Sequence, residues 1–346
     1  MRQRPGRLAI LFGLVVLGLV VELSLGAVYI PPHSVWSILT GGAESNESWR
    51  NIILLFRLPR AVTALLAGAA LGVAGLKMQT LFRNPLAEPY ILGVSSGASL
   101  GVAFVVLVTE RFGWSVLMEQ AGIMGSTALI VAATFGALLV LVIVMSFARR
   151  VQSNTTLLIV GLMLGYVAGS IVSVMMQFSV EHQMQRYISW TNGSFGSVTW
   201  GQMGYFAAAT VAGLSLAWLL AKPLNAFLLG EDYARSMGVN VRRVRIAIVG
   251  GSALLAGTVT AHCGPIGFLG IAVPHLCRLL LKTTDHRALL PAVMLMGSAL
   301  ALFADRVAQL PGAQFALPLN AVTSLVGAPV VVAVILRRRQ VMEAGA

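Results

Sequence analysis

The sequence predicts an all-α polytopic membrane protein with about ten transmembrane helices in one domain, residues 1–346. Of its 346 residues, 57% are hydrophobic and only 10% are charged, whereas soluble proteins carry roughly 25% charged residues. The mean hydropathy is +0.85. Apolar runs of about 20 residues, the length that crosses a bilayer, recur along the chain. They cover approximately residues 8–30, 60–81, 91–109, 122–147, 155–178, 203–221, 244–263, 266–282, 288–308 and 318–336.

The first apolar run has two interpretations. The basic stretch Met1–Arg7 before it and the small pair Gly26-Ala27 after it are typical of a cleaved signal peptide. However, the run is longer than the usual signal core of about 7–15 residues. We therefore expect an uncleaved helix, with Glu22 facing the bundle or the outer interface.

The positive charges indicate an orientation. Of the 24 lysines and arginines, 18 lie in alternate loops counted from the N-terminus and 6 in the others. Cytoplasmic loops are enriched in Lys and Arg, so this bias predicts an inner-membrane protein with both termini in the cytoplasm. It also assigns the net charge of +12 to topology, so no nucleic-acid partner is expected.

Glycines recur at four-residue spacing in three of the apolar runs: Gly68/Gly72, Gly93/Gly97/Gly101 and Gly161/Gly165/Gly169. Small residues at this period let helix backbones approach closely inside a membrane. The stripes favour a compact bundle.

The longest polar island runs from Leu228 to Arg245 and contains two acids and four arginines. Its apolar residues Leu229, Tyr233 and Met237 have helical spacing, and Gly238 follows, a residue type that commonly ends helices. A helix over about 229–239 is therefore predicted at the inner surface, with Glu231 and Arg235 paired at i,i+4. It could receive force from another protein, or it could lie on the bilayer as an amphipathic helix.

Two long outer loops are predicted, at 31–57 and 179–202. Arg57 and Arg60, where the first loop enters a helix, could contact lipid phosphate or dock the carboxylates of a soluble partner. Aromatic and polar residues in the second loop could anchor it at the interface or line a substrate vestibule; we single out Trp190, Asn192 and Ser194.

Between the second and third apolar runs, Pro85 and Pro89 prevent a continuous helix. Ser95, Ser96 and Gly97 then open the next helix, where they could cap backbone groups or line a path. Asp305 is an intramembrane acid, which we expect to pair with Arg306 or with a neighbouring helix.

The chain lacks a Gly-x-x-x-x-Gly-Lys-Ser/Thr phosphate loop, a His-Glu-x-x-His motif and a serine elbow. An enzyme is therefore not predicted, and neither is a cofactor. The soft-ligand residue types His262, Cys263, His275 and Cys277 would have to converge to bind a metal, and we predict no metal site.

A series of motifs covers nearly the whole chain in order. They are Arg57-Leu58-Pro59-Arg60, Asn84-Pro85-Leu86-Ala87-Glu88-Pro89, Leu92-Gly93-Val94-Ser95-Ser96-Gly97, Trp190-x-x-Gly193-Ser194, Leu229-Gly230-Glu231-x-x-Ala234-Arg235-x-x-Gly238, Gly264-Pro265-Ile266-Gly267-Phe268 to His275-x-x-Arg278, Asp285-His286-Arg287 and Leu317-Pro318-Leu319-Asn320 to Pro329. Together these motifs resemble the FecCD-type permease family, the membrane subunits of type II ABC importers for iron-siderophores, haem or cobalamin.

The resemblance implies a homodimer with two cytoplasmic ABC ATPase subunits, an outer substrate-binding protein and a central path. It implies that the predicted inner helix fits a groove of the ATPase, through Leu229, Gly230, Glu231, Tyr233, Ala234, Arg235, Met237 and Gly238. It implies docking of the binding protein on Arg57 and Arg60. The family's third docking arginine is replaced by Gln309, and Arg306 could substitute for it. The path would include Ser95, Ser96, Gly97, Trp190, Asn192, Ser194, Pro318 and Asn320.

An ion-gradient-driven secondary transporter is the alternative. Such proteins carry buried acids or unwound ion sites near the midplane, and here only Asp305 and Glu22 are candidates.

Overall fold

A computed structural model describes residues 5–42, 46–108, 126–150, 154–309 and 316–343, and these residues form helices without strands. The helices are α1 Pro5–Ser24, α2 Pro32–Leu39, α3 Glu47–Asn51, α4 Leu58–Leu81, α5 Val94–Val108, α6 Ser126–Arg150, α7 Asn154–Gln177, α8 Glu181–Thr191, α9 Trp200–Leu219, α10 Ala221–Phe227, α11 Glu231–Ser236, α12 Val241–Cys263, α13 Leu269–Leu281, α14 His286–Ala308 and α15 Leu319–Glu343. A π-helical segment, Ile52–Arg57, joins α3 to α4.

The predicted fold class is confirmed, and each of the ten apolar runs coincides with a helix. Among the described residues, six helices are long and apolar enough to cross a membrane alone. The bent pair α9–α10, with an angle of 56°, can form a seventh span, and three shorter apolar helices lie in α5, α13 and α15. The count of ten is thus approximate.

The outer loops differ from the prediction because they are largely helical. Residues 31–57 contain α2, α3 and the π-helical segment, which runs without a break into α4. Residues 179–202 contain α8 and a 3₁₀ turn at Phe195–Ser197. Arg57 therefore lies within a continuous helix and not at the end of a loop.

Helix α4 is the centre of the bundle and contacts α9, α12, α13 and α14. A Cβ atom at Gly68 would overlap the Gly297 carbonyl on α14, and a Cβ at Gly75 would overlap the Gly270 carbonyl on α13. Only glycine permits these backbone contacts. Gly68 belongs to the predicted stripe, whereas Gly75 was not part of it.

The other two stripes have different outcomes. Gly97 and Gly101 on α5 contact the α6 backbone at Gly136 and Ala132. On α7, Gly161 contacts the Ile91 carbonyl. Gly169, by contrast, has nothing within 4 Å of its Cβ position. The α7 stripe is thus tightly packed at Gly161, whereas at Gly169 no neighbouring atom of the described residues lies close to the helix.

Helix α13 has only 13 residues, about 20 Å at 1.5 Å per residue, so it does not cross a bilayer alone. Phe268 precedes it in the left-handed region, with φ of 67°. The Glu88 carboxyl accepts a hydrogen bond from the Phe268 backbone. Inside a membrane such a break needs polar partners, and Glu88 provides one.

Lys77 is fully buried in α4, and among the residues that the structure describes its Nζ has no hydrogen-bond partner. Burying an unpartnered polar group costs about 1–3 kcal/mol. We therefore expect Lys77→Met, which keeps the length and removes the amine, to raise the melting temperature of the detergent-solubilised protein. The exposed Lys222→Met should leave it almost unchanged. An unchanged or lower melting temperature for Lys77→Met would contradict this expectation.

Candidate functional sites at the two faces and along the bundle

The predicted inner helix is present but short. Helix α11 spans six residues, and the prediction of a helix over 229–239 is wrong in extent because glycines with positive φ bound it. Gly230 has φ of 110° and Gly238 has φ of 82°. The closure at Gly238 agrees with the prediction, while Leu229 and Met237 flank the helix.

The α11 segment has one covered and one uncovered face. Ala234 is fully buried, whereas Leu229, Tyr233 and Met237 are 62%, 51% and 58% exposed. Three large apolar side chains on one short polar segment form a surface that favours contact with a partner.

The predicted pairing of Glu231 with Arg235 is not the one observed. Arg245 Nη2 on α12 lies 2.8 and 2.7 Å from the two Glu231 carboxylate oxygens. Arg235 instead lies 3.3 Å from Asp232, and both of those side chains are exposed. The Arg245 side chain is only 9% exposed, so its pairing with Glu231 is less screened by water.

A polar chain, missed at the sequence level, links α10, α14 and α4. Asn225 Oδ1 accepts from the His286 backbone N–H at 2.8 Å, and Asn225 Nδ2 donates to Asp285 at 2.6 Å. These partners orient the amide, so His286 Nδ1, 2.8 Å from the same Oδ1, must carry a proton. His286 Nε2 lies 2.8 Å from the Thr80 hydroxyl. The motif Asp285-His286-Arg287 was the feature of the sequence from which this polar chain could have been predicted.

Asp285 serves as the anionic end of this chain. Partial burial acts to raise its pKa, but the hydrogen bonds from Asn225 and from the Arg287 backbone outweigh burial and lower the pKa below its ordinary value. The carboxylate is therefore ionised at neutral pH.

At the end of α14 that is predicted to face outwards, the buried Asp305 pairs with α4, a neighbouring helix, and not with Arg306. Arg60 Nε and Nη2 lie 2.7 and 2.8 Å from the two carboxylate oxygens of Asp305. Gln309 Nε2 donates to both Asp305 and Glu22, each at 2.8 Å. Glu22 faces the bundle, one of the two expected positions, and is 1% exposed. We call these four residues the outer cluster.

The other two predicted docking arginines bind the end of α1. Arg57 donates to the carbonyls of Leu23, Ser24 and Val28. Arg306 donates to the Leu25 carbonyl at 2.6 Å. All three predicted docking arginines thus have partners within the chain, and their docking role stays a prediction.

A hydroxyl-lined cavity of about 370 Å³ lies between α5, α7 and α8. Its lining includes the predicted path residues Ser95 and Ser96, together with three hydroxyl side chains that the sequence did not single out: Ser99, Ser173 and Tyr187. The open end of the α7 stripe, at Gly169, also lines it. This cavity has hydrogen-bonding groups, and none of its described lining residues is charged.

The remaining predicted path residues lie elsewhere. Gly97 faces α6. Backbone atoms of Asn192 and Ser194, which follow α8, bind two other helices at a place we call the junction. The Asn192 carbonyl accepts from the Asn320 N–H of α15 at 3.0 Å, and Ser194 N donates to the Cys263 carbonyl at the end of α12 at 2.8 Å. Asn320 Oδ1 accepts from Gly267 N at 3.1 Å. The Trp190 carbonyl lies against Gly264 of the same junction, and Pro318 is exposed.

The four soft-ligand residues do not converge. His262 Nδ1 is 2.9 Å from the Thr258 carbonyl, and His275 Nε2 is 2.8 Å from the Pro85 carbonyl. Cys263 and Cys277 are free and buried. Within the described ranges, no group of three or more His, Cys, Asp or Glu side chains could hold a metal ion.

Comparisons with known proteins agree with this architecture. The FecCD transport family matches residues 14–337. A vitamin B12 import system permease protein BtuC from Klebsiella pneumoniae is 37% identical over 332 residues, which cover 95% of this chain and 94% of that protein. The protein of that name from Escherichia coli is 36% identical over 338 residues, covering 97% and 96%.

The fold has a solved counterpart. A metal-chelate type ABC transporter in an inward-facing conformation has a TM-score of 0.82 and 28% identity, covering 96% of this chain and 99% of that one. Family, relatives and fold coincide over almost the whole chain. The chain belongs to the FecCD transport family and is a multi-pass membrane permease of the ABC importer type.

Proposed function

We propose that the chain forms a homodimer that imports a chelated-metal nutrient, with two cytoplasmic ABC ATPase subunits and an extracytoplasmic substrate-binding protein. The exposed apolar surface of Leu229, Tyr233 and Met237 carries this proposal, because a motor subunit can cover it. The permease itself binds no nucleotide in this scheme and performs no chemistry on the cargo.

The proposed cargo is a metal held in an organic chelate, a description that includes cobalamin, ferric siderophores and haem. The relatives from Klebsiella pneumoniae and Escherichia coli are vitamin B12 permeases and favour cobalamin, whereas the solved counterpart is of the metal-chelate type and favours the wider class. Ligand binding by the cognate binding protein, tested with cyanocobalamin, haemin and a ferric siderophore, distinguishes the three cargoes.

The hydroxyl-lined cavity supports a path beside α5 and α7. A neutral, hydrogen-bonding lining can contact the polar periphery of a large chelate without holding it as tightly as a charged site would. We therefore assign Ser95 and Ser96 to the path. We propose that Trp190, Asn192, Ser194, Pro318 and Asn320 support its outer end.

We also propose an inner-membrane location with both termini in the cytoplasm. The distribution of Lys and Arg supports this orientation. It places the α11 segment on the cytoplasmic side and the outer cluster on the opposite side.

Co-purification tests the proposal against the secondary transporter. An ATPase subunit should accompany the detergent-solubilised permease, and ATP should drive uptake into liposomes that contain the whole assembly. Uphill uptake by the permease alone, driven by an ion gradient, would support the alternative. Of the two candidate acids for that alternative, Asp305 is already neutralised by Arg60.

Docking of the binding protein should depend on Arg57. We expect Arg57→Glu to weaken docking in a pull-down, more strongly at low salt where exposed charges are less screened. Arg50→Glu on α3 introduces the same charge change at an exposed position nearby and is the matched control. Equal affinities for wild type and Arg57→Glu at low salt would reject the assignment. Arg57→Glu also removes the hydrogen bonds to the α1 carbonyls, and Arg60→Glu would break the outer cluster.

A further inference from the structure

Helices α11 and α12 meet at a corner whose vertex is the turn Gly238-Val239, and backbone hydrogen bonds close this turn. Gly238 N donates to the Arg235 carbonyl and Val239 N to the Ala234 carbonyl, both at 3.0 Å. Asn240 then caps α12, because its Oδ1 accepts from Arg243 N at 3.0 Å. The chain thus passes from one helix to the next without a flexible linker.

A second attachment joins the two helices away from the vertex. Glu231 is the first residue of α11, and Arg245 lies in the second turn of α12. Both carboxylate oxygens contact Arg245 Nη2, and the two side chains are 22% and 9% exposed. Charge-assisted bonds with this degree of burial are stronger than exposed ion pairs.

The short helix needs this second attachment. A helix of six residues is not stable on its own. Gly230 and Gly238, both with positive φ, bound it on either side and offer points of rotation. The Glu231–Arg245 pair adds a contact at the start of α11 to the vertex at its end, while α11 also packs on α10.

Helix α12 is well placed to pass a displacement onward. It contacts α4, α5, α6 and α9. Its Ala253 and Gly257 face a second cavity, of about 760 Å³, whose lining includes Val94. Val94 is the first residue of α5, and Ser95 and Ser96 of the hydroxyl-lined cavity follow it directly.

We propose that Arg245 is a positioning residue that joins α11 and α12 into one rigid corner, so that displacement of the α11 surface is delivered to the bundle by α12. This inference rests on the proposed function, in which an ATPase displaces α11. Glu231 then acts inside the permease and is not part of the surface that the ATPase covers.

The test measures the corner directly and needs no identified cargo. Spin labels are placed at Ser236 on α11 and Leu254 on α12, both exposed, in a chain with Cys263→Ala and Cys277→Ala. Pulsed electron double resonance is recorded on the co-purified ATPase complex without nucleotide and with ATP and vanadate. The wild-type distance should be the same in both states. In Arg245→Gln and Glu231→Gln it should shift with nucleotide by about 2 Å or more.

Two further variants separate positioning from general stability. Arg245→Lys keeps a single cationic donor and should keep the distance constant, whereas Arg243→Gln removes the same charge from an exposed position on α12 and should also behave as wild type. If Arg245→Gln does not form a complex with the ATPase, the charge swap Glu231→Lys with Arg245→Glu is measured instead. The swap keeps an ion pair with the charges exchanged, so its distance should be the same in both nucleotide states.

The outcomes are distinguishable. A wild-type distance that changes with nucleotide, or an Arg245→Gln complex that keeps a constant distance, overturns the rigid corner and leaves the proposed function intact. Failure of any ATPase to co-purify with the wild-type permease overturns the proposed function, and the inference falls with it.

Discussion

Replacing Tyr233 and Met237 together by aspartate is expected to separate the permease from its ATPase while leaving it folded in the membrane. Both side chains are more than half exposed, so the change costs little inside the permease. In an interface, each buried anchor residue contributes about 2 kcal/mol or more. Two carboxylates placed there should weaken ATPase association at least about a hundredfold. Co-purification and ATPase activity in proteoliposomes measure the loss.

The control for this variant keeps the apolar surface. Tyr233→Phe with Met237→Leu changes the chemistry of both residues but not their hydrophobicity, and should retain association and transport. Normal transport by the aspartate double variant would show that the ATPase binds elsewhere. Loss of the protein from the membrane would instead show that the surface is needed for folding.

Removal of the Asp305 carboxylate is expected to have the largest effect on stability. Asp305 is fully buried, and Asp305→Ala would leave the partly buried guanidinium of Arg60 without its counter-charge. Breaking a buried pair in this way costs about 3–5 kcal/mol. The melting temperature of the detergent-solubilised protein should fall markedly, and less for Asp305→Asn, which still accepts a hydrogen bond.

Two further variants test whether the loss of the Arg60–Asp305 pair causes the lower melting temperature. Asp232→Ala breaks the exposed pair with Arg235 and should cost at most about 1 kcal/mol. Adding Arg60→Met to Asp305→Ala should restore part of the lost stability, because the Arg60 guanidinium is then no longer left without Asp305. A melting temperature for Asp305→Ala equal to that of wild type would show that the outer cluster is not a structural element.

The apolar runs predicted the bundle because length and hydropathy alone decide what crosses a membrane. Loop helices such as α2 and α8 were missed because they are short and carry mixed polarity. The break before α13 was visible at Gly264-Pro265, but the Glu88 carboxyl that binds there could not be predicted. That contact joins residues 180 positions apart.

The same reasoning applies to the polar sites. Gly238 identified the end of α11 because a left-handed closing residue is a local property. The partners of Glu231 and Asp305 depend on how helices meet. Local spacing suggested Arg235 for Glu231 instead of Arg245. For Asp305 it left Arg306 and a neighbouring helix open, and the partner is Arg60 on the neighbouring α4. The hydroxyl-lined cavity was predicted only in part, since Ser173 and Tyr187 reach it from other helices.

The glycine contacts of α4 restrict where this subunit can deform. At Gly68 and Gly75 main chain touches main chain, so no side chain remains there that could change rotamer and absorb a displacement. We therefore expect α4, α13 and α14 to keep their positions relative to one another when the protein changes conformation. The contact around Gly169 is looser, because nothing lies within 4 Å of a Cβ position there and Gly169 lines the hydroxyl-lined cavity, so we expect α7 to be the less constrained helix.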